Sequence, residues 1–259
     1  TFDLDDTLWP TAAVVEVANG ALAKELETAC GASLDSRALQ DRIKRCRDEA
    51  EEELSYSELR TRAIASLLPA SAERRAAEDL FETWLSARHA AAEALLFPEA
   101  VPALEAIRAE SVVVGAITNG RGDPLAMPAL RPFFDFCVSG EESSVFPHRK
   151  PSPVIFQHAL DRAAACGVVA DFASCCWVHV GDDLVNDVDA AKSAGALTVW
   201  FDDRQGDEKD TSFTTKSSEE RLRRRERALR ILENGSVDRR IDTLADLPAA
   251  LDALFAPAG

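Results

Sequence analysis

The sequence predicts an α/β protein: a parallel sheet with helices between its strands, interrupted near its start by a helical block. Two observations predict the sheet and a third predicts the interruption. Four short runs, 112–117, 134–138, 177–180 and 197–201, are rich in β-branched and aromatic residues and apolar almost throughout. Strands covered on both faces have that character. Helical patterns over 99–109, 153–166 and 185–194 alternate with those runs, and such alternation implies parallel pairing through crossovers. Residues 11–97, by contrast, hold no convincing strand. The expected architecture is a Rossmann-like parallel sheet core from 1–10 and 98–259, with 11–97 inserted as an all-helical cap domain.

Taken in order, Phe2 closes an apolar strand and Asp3-Leu4-Asp5-Asp6-Thr7 follows it. Four cap helices are expected near 12–30, 36–54, 56–68 and 71–93. Gly31-Ala32-Ser33 and Leu68-Pro69-Ala70-Ser71 are the breaks between them, and Ser55 and Ser71 are candidate caps. Strand 112–117 runs into Thr118-Asn119-Gly120, where glycine permits a sharp turn. The loop from Glu141 to His148 leads to Arg149-Lys150-Pro151. Strand 177–180 ends on Gly181-Asp182-Asp183, and Ala190–Gly195 reads as helix and stop. Residues 203–235 depart from the alternation: a polar, turn-rich loop over 202–218, then a charged helix over 218–233. Its mixed Arg and Glu residues describe a solvated face with i,i+4 pairs. Leu222, Leu229 and Leu232 would form a narrow apolar stripe on it, and a regulatory or partner-binding insertion is the sharper reading.

Composition narrows the function. A 46% hydrophobic, 29% charged chain of 259 residues is that of a globular protein. Apolar runs fall short of the roughly 20 residues needed to span a bilayer. A formal charge of −16 argues against nucleic acid or an anionic membrane as partner. It leaves a small phosphorylated metabolite open, because a metal and a few cations reverse the sign locally. The chain starts without Met on residues that belong inside a strand. It reads as a fragment lacking its N-terminus, so no transit peptide is assessable. An intracellular location, cytoplasmic or organellar, is expected. The six Cys match no paired zinc spacing and are expected to be mostly buried thiols in a reducing compartment.

The chemistry lies where strands end, the place where open α/β sheets bind ligands. Asp3 follows the first strand and is the candidate nucleophile, since a carboxylate can accept a phosphoryl group and split a hard displacement in two. Nucleophile and phosphate monoester repel one another, and Mg2+ bridging their oxygens removes that repulsion. Asp3, the backbone carbonyl of Asp5 and Asp182 would hold the ion, with Asp187 or Asp183 as a fourth ligand or an anchor behind it. Asp5 lies two residues on, so in extended geometry its side chain points to the same side as Asp3. It is the candidate general acid, then base. The Thr118 hydroxyl and the Asn119 N–H would hold phosphate oxygens, and Lys150 would neutralise Asp3 and the phosphate together. Singly, these signals say less: one Asp-x-Asp is as readily a surface loop, one Thr-Asn-Gly is usually a plain turn, one Lys is usually solvent-exposed, and acids at a helix start also suit simple capping.

Together and in this order, Phe2-Asp3-Leu4-Asp5-Asp6-Thr7, Ile117-Thr118-Asn119-Gly120, Arg149-Lys150-Pro151 and Gly181-Asp182-Asp183 with Asp187 resemble the haloacid dehalogenase superfamily of aspartate-nucleophile phosphatases. The resemblance covers about 1–10 and 98–202. It implies Asp3 as nucleophile, Asp5 as acid and base, Thr118 and Lys150 as phosphate-binding, Asp182 and Asp187 at the metal, and a cap that sets specificity. The loop 141–148 and the segment 203–235 depart from the usual pattern. Within the superfamily the motifs are similar to a bacterial and plant-type subgroup. That likeness implies FMN or 5-amino-6-(5-phosphoribitylamino)uracil as the substrate, with Tyr56, Arg60, Arg62, Trp84 and Arg88 of the cap as candidate contacts. Four alternatives compete. A dehalogenase would not require the acid Asp5. A phosphomutase on a sugar phosphate shares the core and differs in shielding its intermediate from water. A non-catalytic phospho-receiver would need neither Asp5 nor a cap of nearly ninety residues. A catalytically silent scaffold would not need every catalytic position filled.

Overall fold

The computed structural model describes residues 1–30, 36–69, 74–110, 112–167, 176–202 and 218–256. The expected breaks at 31–33 and 70–71, the candidate cap Ser71, Cys175 and the loop over 203–217 lie outside the described residues. The described residues form two compact units, one of Pro10–Leu95 and one of Thr1–Trp9 with the chain from Leu96 onward.

The first unit consists of α1 (Thr11–Cys30), α2 (Ser36–Asp48), α3 (Tyr56–Ala65) and α4 (Arg74–Ala94). Val15, Ala18, Leu22 and Leu26 recur on one face of α1 and meet Ala77, Phe81, Trp84 and Leu85 of α4 in a core of their own. Helix α3 starts where the Ser55 hydroxyl accepts the Glu58 N–H at 3.0 Å, relieving one donor the first turn leaves open. Helix α2 stops at Asp48, short of the expected 54. The acids that follow, Glu49 and Glu51–Glu53, oppose the negative end of a helix dipole.

The second unit holds α5 (Ala100–Arg108), β1 (Gly115–Thr118), β2 (Phe136–Ser139), α6 (Pro153–Ala165), β3 (Val178–Gly181), a π-helical turn (Leu184–Asp189), α7 (Ala190–Ser193), β4 (Leu197–Phe201), α8 (Ser218–Glu233), β5 (Arg239–Ile241) and α9 (Leu247–Phe255). Every strand pair is parallel: β1 with β2, β3 with β4, β4 with β5. The N-terminal segment joins the two halves. Phe2 N donates to Gly115 O and Phe2 O accepts from Ile117 N, while Asp3 N donates to Val180 O. Phe2 thus bridges β1 on one side and β3 on the other, giving the order β2, β1, Phe2, β3, β4, β5. Helices α6 and α7 bring Ile155, Phe156, Ala159, Ala190 and Ala191 against Ile117, Phe136 and Val138.

Several boundaries differ from expectation for local reasons. Strand β1 begins at Gly115 rather than 112: Asp135 takes the Val114 N–H on its carboxylate and pairs with Arg108 at 2.7 Å, so these residues tie loops together. The helix expected over 185–194 opens as a π turn, because Asp183 O accepts from both Asp187 N and Val188 N. Strand β5 and α9 escaped the sequence reading, β5 being three residues long with two of them exposed. On α8 the stripe Leu222, Leu229 and Leu232 is exposed, and Ile231 is the residue that packs inward. Of the four cysteines described as free, Cys166 and Cys176 are exposed and Cys46 and Cys137 half-buried, so the expectation of mostly buried thiols fails for these four.

Candidate active site

Four loops meet at the carboxyl ends of β1, β3 and the Phe2 segment. After Asp3 the chain does not stay extended. Thr7 N and Leu8 N both donate to Leu4 O, and Asp6 N donates to Trp9 O. Asp6 adopts the left-handed conformation, φ 64°, a region Asp tolerates better than most residues. This tight turn, rather than a straight strand, sets the orientation of Asp5. Its carboxylate accepts from Trp9 Nε1 at 2.9 Å. A Cβ built on Gly120 would lie 3.5 Å from Asp5 Oδ2, which places the acid beside the Thr118–Gly120 turn.

Lys150 is the hub. Its Nζ donates to Asp3 Oδ1 at 2.5 Å, to Asp187 Oδ1 at 2.7 Å and to the Ile117 carbonyl at 2.8 Å. All three side chains are buried. Burial opposes the ammonium charge, but Asp187 and Asp3 outweigh it and hold the Lys150 pKa above its usual value. Burial likewise pushes Asp187 up, but Lys150 and His179 outweigh that effect and hold its carboxyl below the usual range. Asp3 responds differently: burial dominates and raises its pKa to about 7, with Lys150 opposing and Asp187 adding to the rise.

Asp182 completes the cluster. One carboxylate oxygen each from Asp3, Asp182 and Asp187 lie within 4.8 Å of one another. Thr7, fully buried, directs its hydroxyl toward Asp3 Oδ2 at 3.3 Å and Asp182 Oδ1 at 3.5 Å. Three carboxylates at this spacing, with one ammonium among them, are a hard-oxygen donor set that fits a divalent cation such as Mg2+. Asp183 is engaged elsewhere. It caps the π turn by accepting from Val185 N at 2.8 Å and Asn186 N at 3.0 Å, and it pairs with Arg224. Its own N–H donates to Asp187 Oδ2 at 3.0 Å.

Thr118 ends β1 and is buried, its Oγ1 accepting the Gly120 N–H at 3.1 Å. The Asn119 side chain has a role the sequence reading missed. Its Oδ1 accepts from Lys150 N at 2.7 Å and its Nδ2 donates to Lys150 O at 3.0 Å, so it fixes the backbone of the lysine loop. His179 was missed too. It lies buried on β3 with Nε2 3.6 Å from Asp187 Oδ1, and burial lowers its pKa to about 4. Its position inside an apolar strand gave no sign of a role.

The residues singled out in 11–97 behave diversely. Tyr56 is exposed and Arg62 pairs with Glu58 on the surface of α3. Arg60 lies 3.8 Å over the Trp84 ring and donates to Asn19 Oδ1 at 3.1 Å. Trp84 Nε1 donates to the same oxygen at 2.9 Å, and Arg88 is buried.

Comparison with known proteins gives a consistent picture. A family profile described as haloacid dehalogenase-like hydrolase matches residues 1–195. A glyceraldehyde 3-phosphate phosphatase of Methanopyrus kandleri is 30% identical over 209 residues, 76% of this chain and 81% of the relative. One of the same name from Methanocaldococcus jannaschii is 27% identical over 205 residues, 76% and 82% of the two chains. Among solved structures, a 2-haloacid dehalogenase from Pseudomonas syringae superposes with a TM-score of 0.68 at 27% identity, over 98% of this chain and 97% of that one.

Proposed function

The chain belongs to the haloacid dehalogenase-like hydrolases, and on that premise we propose that it hydrolyses a small-molecule phosphomonoester with the help of Mg2+, through an aspartyl phosphate on Asp3. The observation that carries this reading is the Lys150 ammonium shared by Asp3 and Asp187, with an Asp182 oxygen within 4.8 Å of theirs. Asp3, Asp182 and Asp187 would hold the cation, together with the Asp5 carbonyl. Mg2+ bound there supplies charge neutralisation between the nucleophile and the phosphate oxygens.

The Asp3 carboxylate attacks phosphorus while Asp5 protonates the departing ester oxygen. Asp5 then takes a proton from the water that attacks the aspartyl phosphate, which releases inorganic phosphate and regenerates Asp3. Thr118 and Lys150 bind the phosphate oxygens, and Asn119 keeps Lys150 on station. The helical unit Pro10–Leu95 takes the part of the specificity-setting cap. Asp5 is what separates this reading from a dehalogenase, which has no leaving oxygen to protonate. The substrate panel follows from likeness: glyceraldehyde 3-phosphate after the relatives, and FMN and 5-amino-6-(5-phosphoribitylamino)uracil after the subgroup motifs.

Phosphate release from that panel, extended to sugar phosphates and measured with Mg2+, is the test. Turnover of at least one substrate is expected. Asp3→Asn abolishes it, and Asp5→Asn slows it about 10²–10⁴-fold. No release across the panel, or full activity in Asp3→Asn, would sink the assignment. A phosphorylated isomer in place of free phosphate would identify a mutase.

A further inference from the structure

The segment expected to be a solvated insertion reaches the acidic loop. Arg224 of α8 pairs with Asp183 at the start of the π turn, and Arg227 pairs with Asp189 at its end, 3.0 Å apart. Between these two points Ile231 is buried against Val185 and Val188 of the same turn, with Leu184, Trp200 and Val237 around them. Trp200 Nε1 in turn donates to the Asp182 carbonyl at 2.9 Å. The turn is therefore gripped at both ends and wedged in the middle by one helix.

That grip has a path to the reacting groups. Asp183 spends one carboxylate oxygen on Val185 N and Asn186 N, and the other on Asn186 Nδ2 and Arg224. With its side chain so held, its backbone N–H is aimed at Asp187 Oδ2. The other oxygen of Asp187 receives Lys150. Single π turns recur at functional sites, where a widened turn re-aims a side chain. Partners behind the ligating groups fix the orientation of those groups and shift metal affinity appreciably.

We propose that α8 is a positioning clamp for the acidic loop, with Arg224, Arg227 and Ile231 holding the 183–189 turn so that Asp187 faces Lys150 and the cation. Only its metal readout rests on the phosphatase reading above. None of the three residues touches the substrate, so they are positioning residues.

The intact chain is compared with Arg224→Gln/Arg227→Gln, with Ile231→Ala, and with Arg223→Gln as a control. Among the described residues, Arg223 pairs within α8, with exposed Glu219. Calorimetric titration with Mg2+ is expected to show the double variant binding about 10-fold more weakly, the lower end of the range for such supporting partners. Ile231→Ala moves the same way and Arg223→Gln does not. Arg224→Lys recovers part of the loss. In the metal-free chain, the Val185 and Asn186 amides exchange faster in the double variant while those of β1 and β3 are unchanged. Unaltered Val185 and Asn186 exchange in the double variant overturns the clamp, as does unaltered Mg2+ affinity in a chain that binds Mg2+. If the native chain takes up no Mg2+ but the double variant still loses amide protection, the cation reading fails and the clamp stands.

Discussion

Gly181 shows how closely the site is packed at the level of single residues. A Cβ at this position would come 2.5 Å from both Cβ and Cγ of Asp187, so a methyl group there must displace the carboxylate. Overpacking of this kind costs about 1–3 kcal/mol. Gly181→Ala is expected to fold, melt at lower temperature and lose Mg2+ affinity and turnover together; circular dichroism with metal titration checks it. His179 makes a different prediction. Its imidazole takes a proton near pH 4 in the folded chain against a usual value of 6.5. Between those values the unfolded chain binds more protons, so this group's contribution is complete above pH 6.5 and is lost as pH falls through 4. Asp3, raised to about 7, pulls the other way as pH rises from the ordinary carboxylate value. The contribution of His179 is therefore read as the difference in urea stability between the native chain and His179→Gln, which should shrink from pH 7 to pH 4. A difference independent of pH would contradict a neutral buried imidazole. The sequence singled out Asp3, Asp5, Thr118, Lys150, Asp182 and Asp187 because the proposed chemistry needs a motif, and the structure gathers Asp3, Lys150, Asp182 and Asp187 in one cluster. Thr7, the Asn119 side chain and His179 hold those groups in place, and a supporting role imposes no spacing that a reader could find.

Among the elements, legibility followed burial. Strand β4 lies over the predicted 197–201 because its apolar run is buried in fact. Helices α1 and α6 fall within two residues of expectation for the same reason, with capping in support: Ser152 accepts the Val154 N–H and Pro153 occupies the first turn of α6. Removing that cap by Ser152→Ala should cost about 1 kcal/mol, read as a small drop in melting temperature with turnover unaffected. Short, polar or exposed elements stayed hidden. Strand β5 has an Arg-Arg-Ile sequence that signals nothing by itself. It forms because β4 offers a free edge and because Asp238, just before it, accepts Lys192 at 2.7 Å and the Thr198 N–H at 2.9 Å. The π turn was equally hidden, since what widens it is the doubly shared carbonyl of Asp183 rather than any residue preference.

At the scale of the whole chain, an excess of sixteen negative charges surrounds a reaction whose substrate is itself an anion. A cation held by Asp3, Asp182 and Asp187, as proposed above, would offset that repulsion locally. Treatment with EDTA should abolish phosphate release, and Mg2+ should restore it; activity that survives exhaustive chelation would remove the cation from the scheme. No helix among the described residues is long and apolar enough to cross a membrane. The placement of Phe2 between β1 and β3 bears on how the protein is made. Its ladder partners Gly115, Ile117 and Val180 are all translated more than a hundred residues after it. At about 5–20 residues per second, Asp3 leaves the ribosome about 10–40 s before Val180, the last of these neighbours. During synthesis Asp3 is therefore a carboxylate whose sheet neighbours do not yet exist, and a nascent chain halted short of β3 holds Asp3 without the strand that pairs beside it.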